Sequence, residues 1–171
     1  MMATEAAIDR QEALTRLMRQ YEKDVLKLCC AYLRDLSLAE DATQETFLKA
    51  YRALGRFRGE CGEKTWLMRI AINTCKDIRR AAWFRFVDRK VTLDQLPPPA
   101  VAPSTENVLL SVEIMRLPAR EREVILINAY QGLTRGETAQ ALGISEAAVS
   151  KRIKRARERL GVLLEGGKEH A

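Results

Sequence analysis

The sequence predicts an all-α protein of two small helical domains joined by a flexible, proline-rich linker. Hydrophobic residues make up 47% of the 171 residues but aromatic residues only 6%. The apolar residues recur at spacings of three and four, with little of the alternation that marks β-strands. Four of the five prolines lie between Gln95 and Ser104, a stretch that no stable helix can cross. We therefore expect helical domains at about 8–84 and 108–165, and a linker at about 85–107.

The first two helices are expected at the start of the N-terminal domain. Apolar residues from Leu14 to Tyr32 form the stripe of an amphipathic helix. Ser37 and Glu40 have the spacing of a capping box, which predicts that a second helix opens there and runs to about Leu54. The exposed face of the second helix should carry Asp41, Gln44, Glu45 and Lys49.

A loop and a third helix should complete this domain. The segment from Arg56 to Glu63 contains Gly59 and Gly62, and we interpret it as a loop. A third helix is expected from about Lys64 to Ala82. Its buried face should hold Leu67, Ile70, Ala71, Thr74 and Ile78. The residues left facing outward are Arg69, Asn73, Lys76, Arg79 and Arg80.

The C-terminal stretch from Leu133 to Leu160 predicts two short helices separated by a turn. Thr134 and Glu137 have capping-box spacing, so each side chain can satisfy the other residue's free backbone N–H. Gly143 can end that helix in the left-handed conformation, and Ser145 can cap the next one. The second helix then has one apolar face, which is formed by Val149, Ile153, Ala156 and Leu160.

The other faces of this last helix are basic. Between Glu146 and Leu160 there are six Lys or Arg against two Glu, a local charge of +4. An apolar stripe backed by cations is what a helix-turn-helix needs to anchor one side and offer the other to DNA. A solvated basic surface helix is the alternative, but the caps, the turn and the register agree and favour DNA binding. The net charge of +6 also fits a polyanionic partner.

Several functional classes find no support in the sequence. No apolar run approaches the roughly 20 residues of a membrane span, and no signal peptide is apparent, so we expect a cytoplasmic protein without membrane insertion. Cys29, Cys30, Cys61 and Cys75 form no CxxC pair, and the only histidine is His170. We therefore expect idle thiols, no metal, no cofactor and no enzymatic activity.

Four segments, in this order, resemble those of one bacterial family. They are DATQETFLKAYRALGRFRGE, KTWLMRIAINTCKDIRR, LPAREREVILINAYQGLT and the helix-turn-helix. Their order, their spacing and the proline-rich linker resemble those of sigma factors of the extracytoplasmic-function group, over about residues 14–162. The resemblance implies that the N-terminal domain is sigma region 2 and the C-terminal domain is region 4. It further implies core RNA polymerase and promoter DNA as partners, with an anti-sigma factor as regulator.

The resemblance assigns the second helix to RNA polymerase. Family members dock this segment onto the clamp helices of the β′ subunit, and region 4 meets the β flap. The positions that match are Asp41, Gln44, Glu45, Phe47 and Leu48. We interpret Phe47 and Leu48 as core residues, so the three polar side chains are the expected contacts.

The loop from Phe57 to Lys64 and the helix after it match the part that captures the −10 element as a single strand. Such a strand is held by cations along its phosphates and by pockets or aromatic faces for its bases. The matching residues are Lys64, Arg69, Arg79 and Arg80 as cations, Asn73 and Asp77 as hydrogen-bonding groups, and Trp66. Trp66 is either a stacking platform or a domain-core residue, and we favour the core. At Gly62 and Glu63 the chain departs from the family pattern, which predicts a more flexible and more acidic loop.

The last helix is expected in the major groove over the −35 element, with Ser145 at its start. Residues in the first turns read bases and the flanks hold phosphates. The candidate base readers are Glu146, Ala147, Ser150, Lys151 and Lys154, and the candidate phosphate contacts are Arg152, Arg155 and Arg157. Some of these arginines have an alternative partner in Glu158 or in the first helix of the unit. Gly136, where the family tends to have an acid, should cost about 1 kcal/mol relative to Ala.

Two other functions remain open at this stage. One is a transcriptional regulator whose helix-turn-helix is governed by an N-terminal sensory domain, and the other is a helical interaction protein. The segment Lys64–Arg80 discriminates between these classes and a sigma factor, because a plain regulator needs no second nucleic-acid surface.

Overall fold

The computed structural model describes the backbone of residues 2–88 and 113–168, with side chains described for 6–82 and 113–161. Within these ranges every regular element is helical and no strand occurs, so the all-α class is confirmed. The chain divides into two compact units, Met1–Ala100 and Val101–Ala171. Of the linker expected at 85–107, the backbone of 85–88 continues a helix and the rest lies outside the described residues.

The N-terminal unit is built from three helices that all pack against one another. They are α1 (Met2–Leu33), α2 (Leu36–Ala53) and α3 (Glu63–Asp88). Each contributes an apolar face, as the amphipathic pattern predicts. The core that they enclose includes Leu17, Val25 and Leu28 from α1, Ala42 and Phe47 from α2, and Leu67, Met68 and Ile72 from α3.

The cysteines in this unit are free thiols, and two of them contact each other in the core. Cys29 and Cys75 are fully buried on α1 and α3. The thiol of Cys75 donates a hydrogen bond to the sulfur of Cys29, which holds the pKa of Cys29 below its ordinary value. The same bond and burial raise the pKa of Cys75, so this residue stays protonated.

The start of α2 differs from the expected capping box. Asp35 is the N-cap, with φ −138° and ψ 121°, and its Oδ1 accepts a 2.9 Å hydrogen bond from the backbone N–H of Leu38. Arg34 just before it takes a left-handed φ of 56°, which ends α1 and turns the chain sharply. The prediction that Ser37 and Glu40 open this helix is therefore wrong. An aspartate two residues earlier already satisfies the free N–H group, so Ser37 lies inside the helix.

The predicted loop and third helix are found with shifted ends. A short 3₁₀ turn, Leu54–Arg56, follows α2, and the loop proper occupies 57–62. The third helix begins one residue earlier than expected and continues beyond Ala82 to Asp88. Leu67, Ala71 and Thr74 are buried as expected, whereas Ile70 and Ile78 are only half-buried.

The C-terminal unit is a second helical cluster. A helical turn at 113–116 precedes α4 (Ala119–Ile125), which continues as a π-helical turn over Leu126–Tyr130. Two further helices follow, α5 (Arg135–Leu142) and α6 (Glu146–Lys168). A core cluster of Val124, Ala139, Val149 and Ile153 joins the three helices, and Leu142 and Ile144 pack against it. The predicted helix-turn-helix is thus formed by α5 and α6.

The local signals that predicted this turn are all present. Thr134 accepts a 3.2 Å bond from the backbone N–H of Glu137, and the Glu137 carboxylate accepts a 2.8 Å bond from the N–H of Thr134. Gly143 ends α5 with φ 65° and ψ 37°. Ser145 Oγ accepts a 3.1 Å bond from the N–H of Ala148 at the start of α6. Together these caps fix the angle at which α6 leaves the turn.

Candidate nucleic-acid and partner interfaces

The outer face of α2 combines polar side chains with one exposed leucine. Asp41 and Gln44 are exposed, as predicted, whereas Glu45 is half-buried. Phe47 is 3% exposed and belongs to the core, also as predicted. The interpretation of Leu48 as a core residue is wrong, because it is 50% exposed. Leu48 follows Gln44 by one turn and so lies on the outer face, whereas Phe47 lies on the inner one.

Lys49 was expected on the exposed face of α2, but its side chain contacts residues of α3. Its Nζ lies 3.4 Å from Asp77 Oδ2 and donates to Thr74 Oγ1 at 3.3 Å. The Asp77 carboxylate, one of the predicted hydrogen-bonding groups, therefore has a neighbouring side chain as a partner. The Asp77 side chain nevertheless remains 61% exposed.

An aromatic pair closes the loop between α2 and α3. The rings of Phe57 and Trp66 stack with their centroids 4.6 Å apart and their planes at 27°. Both side chains are half-buried. The backbone N–H of Trp66 donates to the carbonyl of Gly62 at 3.0 Å, which closes the first turn of α3. Trp66 is therefore neither fully buried in the core nor fully available for stacking against a base.

The first two residues of α3 are held by ion pairs to α1. Glu63 accepts two hydrogen bonds from the Arg16 guanidinium, one of them 2.9 Å long. These bonds hold the pKa of Glu63 below its ordinary value and raise that of Arg16. Burial, with the Glu63 charge nearby, raises the pKa of Tyr21. Lys64 pairs with Asp24 at 3.1 Å. Glu63 is thus the first residue of α3 and forms an ion pair with Arg16, whereas the greater flexibility expected of this loop stays a prediction.

The outer surface of α3 brings together most of the predicted −10 residues. At about 100° per residue, Trp66, Arg69, Asn73, Asp77 and Arg80 fall on one face. Arg69, Asn73, Asp77 and Arg80 are exposed. Arg79 is also exposed, but it lies about a quarter turn away. Lys64 lies on the opposite side of the helix, which is why it reaches α1. The result is a narrow cationic strip beside an aromatic pair.

Helix α6 presents Lys151, Lys154 and Arg155 on the side opposite the core. Val149, Ile153 and Ala156 are buried, and Leu160 is half-buried. The exposed residues among the candidates are Ser145, Glu146, Ala147, Lys151, Lys154, Arg155 and Arg157. Ser150 and Arg152 are half-buried on the two flanks. Helical geometry places Lys151 on the line opposite the core, with Ala147 close to that line and with Lys154 and Arg155 on either side of it.

One arginine of α6 is tied to another helix, and it was not among the candidates. Arg159 Nε lies 2.9 Å from Oε2 of Glu121, a residue of α4 that is only 7% exposed. The pair joins α6 to α4 in addition to the contacts of the buried core. Sequence reasoning missed it because the partners are remote in sequence and neither occupies a recognisable motif.

Glu146 bends back towards α5. A Cβ placed on Gly136 would lie 3.2 Å from Oε1 and 3.7 Å from Cδ of Glu146. The carboxylate therefore lies over the first turn of α5, across the turn of the helix-turn-helix.

Neither a metal site nor a membrane-spanning helix occurs in the part of the chain that the structure describes. In residues 6–82 and 113–161, no group of three His, Cys, Asp or Glu side chains is arranged to hold a metal ion. Among the helices that the structure describes, none is long and apolar enough to cross a membrane.

Comparison with known proteins identifies both units. Residues 17–85 match the family model for sigma-70 region 2, and residues 108–160 match a model for sigma-70 region 4. The ECF RNA polymerase sigma factor SigM of Mycobacterium tuberculosis is 32% identical over 167 residues, which cover 96% of this chain and 83% of SigM.

Solved structures agree with these matches. CnrH in complex with the cytosolic domain of CnrY is 28% identical, with a TM-score of 0.71 over 96% of this chain and 95% of CnrH. RpoE in complex with the anti-sigma factor NepR, from Bartonella quintana, has a TM-score of 0.75 over 90% of this chain and 98% of RpoE, and at 22% identity it supports the fold. The chain belongs to the extracytoplasmic-function (ECF) group of RNA polymerase sigma factors, which direct the polymerase to promoters and act as transcription regulators rather than catalysts.

Proposed function

We propose that three separate helix surfaces of this sigma factor bind core polymerase, the −10 strand and the −35 element. The domain at 8–84 acts as region 2, the domain at 108–165 as region 4, and 85–107 as the linker between them. The observation that carries this assignment is the presence of two distinct cationic surfaces, one on α3 beside an aromatic pair and one on α6. A regulator that reads duplex DNA with its helix-turn-helix has no use for the first of them.

The outer face of α2 is the proposed contact for the β′ clamp helices. Asp41, Gln44 and Glu45 keep this face hydrated in the free protein, and Leu48 supplies an apolar centre that a partner can bury. Phe47 supports the face from the core side. Region 4 contributes a second contact, with the β flap.

The strip on α3 is the proposed site for the −10 strand. Arg69 and Arg80 supply positive charge for the phosphates, and Asn73 supplies hydrogen-bonding groups for a base edge. The exposed ring surface of Trp66 lies at one end, where an unstacked base has an aromatic neighbour. Arg79 extends the positive charge on the flank. Lys64 is not part of the site that we propose, because its ammonium group pairs with Asp24.

Side chains in the first turns of α6 are the proposed readers of the −35 element. Lys151 and Lys154 carry donors for guanine, and Ala147 and Ser150 line the same first turns. Ser145 lies at the start of α6, where the free backbone N–H groups of the first turn face the phosphates in the proposed complex. Arg152, Arg155 and Arg157 are assigned to phosphate contacts on the flanks.

An anti-sigma factor is the proposed regulator, and the cytoplasm the proposed location. The structural relatives CnrH and RpoE were solved bound to CnrY and to the anti-sigma factor NepR. A partner of this kind would cover the polymerase-facing surfaces of both units. If that partner is anchored in a membrane, it also brings this chain to the membrane.

Promoter binding with and without core polymerase tests the proposal. Low affinity of the free chain for duplex DNA is expected, because each unit offers only a small surface and the polymerase fixes their separation. Adding core polymerase should produce a specific complex on promoter fragments and protection of both elements in footprints. Tight specific binding by the chain alone, unchanged by polymerase, would instead indicate a transcriptional regulator.

A further inference from the structure

The ammonium group of Lys49, a residue of α2, has two partners on α3. Thr74 is fully buried, and its hydroxyl donates a 2.8 Å hydrogen bond to the carbonyl of Ile70, one turn earlier. That bond uses the only hydroxyl proton, so the Thr74 oxygen is left to accept, and Lys49 Nζ donates to it at 3.3 Å. The same Nζ lies 3.4 Å from Oδ2 of Asp77. A buried hydroxyl therefore anchors the lysine that pairs with Asp77.

Asp77 is the acidic residue on the face of α3 that we propose for the −10 strand. It lies one turn after Asn73 and one turn before Arg80, and its side chain is 61% exposed. An unpaired carboxylate at this place would repel the phosphates that the neighbouring arginines attract. Lys49 offsets this charge and holds Oδ2, and the other lone pairs of the carboxylate remain open to a ligand.

An ionised carboxylate can only accept hydrogen bonds, which limits the bases that it can bind. Adenine, cytosine and guanine each carry an exocyclic amino group. Thymine has none, and its ring N–H lies between carbonyl oxygens that repel a carboxylate. An unstacked base of a single strand exposes this edge. A carboxylate held in one orientation therefore favours the amino-bearing bases over thymine.

We propose that Lys49 is a positioning residue for the −10 element, because it holds Asp77 so that the carboxylate accepts a hydrogen bond from an amino-bearing base of the melted strand. This inference rests on the proposed role of the α3 strip. It adds a residue of α2 to a DNA site that is otherwise formed by α3 and the loop before it. Lys49 acts through Asp77 and does not itself contact the base.

The test is transcription by holoenzyme from a promoter library randomised in the −10 element. The unmodified protein should select against thymine at one −10 position. Asp77→Asn gives this side chain a donor as well as an acceptor, so the use of thymine there should rise by about fivefold or more. Lys49→Met keeps a long side chain but releases the carboxylate, and it should have the same effect. Lys49→Arg keeps the charge and should keep the selection.

A matched control distinguishes positioning from a merely structural role. Lys64 is 32% exposed and joins α3 to Asp24 of α1, much as Lys49, which is 35% exposed, joins α2 to α3. Lys64→Met should therefore leave the selection against thymine unchanged. The inference is wrong if Lys64→Met and Lys49→Met relax the selection equally. It is also wrong if Lys49→Met lowers transcription from all promoters without changing the base preference.

A double-mutant cycle shows whether Lys49 acts through Asp77. In an Asp77→Asn background, adding Lys49→Met should not change the base preference further, and an equal change in both backgrounds would overturn the inference. Asn73→Ala separates this result from the proposed function. If Asn73→Ala alters the −10 profile while Lys49→Met does not, only the inference fails. If none of these variants alters the profile, the proposed role of the α3 strip fails, and the inference fails with it.

Discussion

Along α6, neighbouring cations are expected to have different tasks. Lys151 lies on the outermost line of the helix, and Arg155 is turned about 40° from it towards one flank. Lys151→Ala should cost roughly 1–3 kcal/mol and relax the preference at one −35 position, as for a base-reading side chain. Arg155→Ala should weaken all promoters alike and reduce the salt dependence, because a phosphate contact carries no sequence information.

The two variants are compared on randomised −35 libraries, with intact and with pre-melted templates. Neither should affect a template whose −10 strand is already open, since region 2 does most of the holding there. If Lys151→Ala leaves the −35 preference unchanged, the assigned orientation of α6 is wrong, and Ser150 or Lys154 becomes the next reader to test.

The Arg16–Glu63 pair predicts a pH dependence. The folded-state pKa of Glu63 is depressed, so the pair stabilises the fold at pH values above the ordinary glutamate pKa, about 4.3. That contribution is lost as the pH falls through the lower folded-state pKa. Glu63→Gln should therefore lower the Tm at pH 7 by a small amount, since both groups of the pair remain partly in contact with solvent.

Thermal melts of the two proteins from pH 7 down to about pH 3 check this expectation. The difference in Tm should shrink as the pH falls below about 4.3, because Glu63 then takes up a proton in the unfolded chain, and it should vanish once the pH passes the lower folded-state pKa. A difference in Tm that stays constant over this range would show that the pair does not act through its charge.

At the scale of the element, α2 is expected to bind polymerase through a face with an apolar centre. Leu48→Asp should weaken core binding by roughly tenfold or more, because it places a charge where a leucine would be buried on binding. Leu36→Asp is the matched control, since Leu36 is 43% exposed on the same helix but lies about a third of a turn away.

Both variants should keep the circular dichroism of the unmodified chain, because neither leucine is in the core. The double variant Gln44→Ala with Glu45→Lys tests the polar part of the same face and should also weaken binding. Equal pull-down affinities for Leu48→Asp and Leu36→Asp would move the polymerase contact to another surface.

The same helix shows what periodicity can and cannot predict. The pattern of α2 predicted a helix with Phe47 inside and Asp41 and Gln44 outside, because apolar spacing determines which face packs. It failed for Leu48, since residue type alone suggested a core position although the register pointed outward. It also missed Asp35 as the cap, because two polar residues close together both satisfied the sequence rule and only the backbone distinguishes them.

Local signals were most reliable in the helix-turn-helix. Thr134, Glu137, Gly143 and Ser145 act within three or four residues of their partners, so their spacing fully specified the bonds that form. The candidate DNA-binding residues on α6 followed from the same register. Their contacts with DNA remain predictions.

At the scale of the molecule, contacts between remote residues were not predictable from one sequence. Arg16 with Glu63, Lys49 with Asp77 and Glu121 with Arg159 each join separate helices. Opposite charges are plentiful in a chain that is 30% charged, so pattern alone selects no partner among them. These pairs join α1 to the start of α3, α2 to α3, and α4 to α6.

The two promoter surfaces that we propose lie on different units, and this arrangement suits a protein that works inside a larger enzyme. Each surface is small, so each alone is expected to bind weakly and with strong salt dependence. Docking both units on one polymerase makes the second contact intramolecular and raises the effective concentration of its DNA element. Specific promoter recognition should therefore belong to the holoenzyme rather than to the free chain.

Mapping the 5′ ends of transcripts made by the purified chain with its cognate core polymerase, on a genomic promoter library, tests this account most directly. We expect initiation at a limited set of sites that share a −35 and a −10 sequence at constant spacing, and none of these starts with core polymerase alone. Failure to direct initiation at any promoter, with the chain folded and bound to core polymerase, would contradict the account.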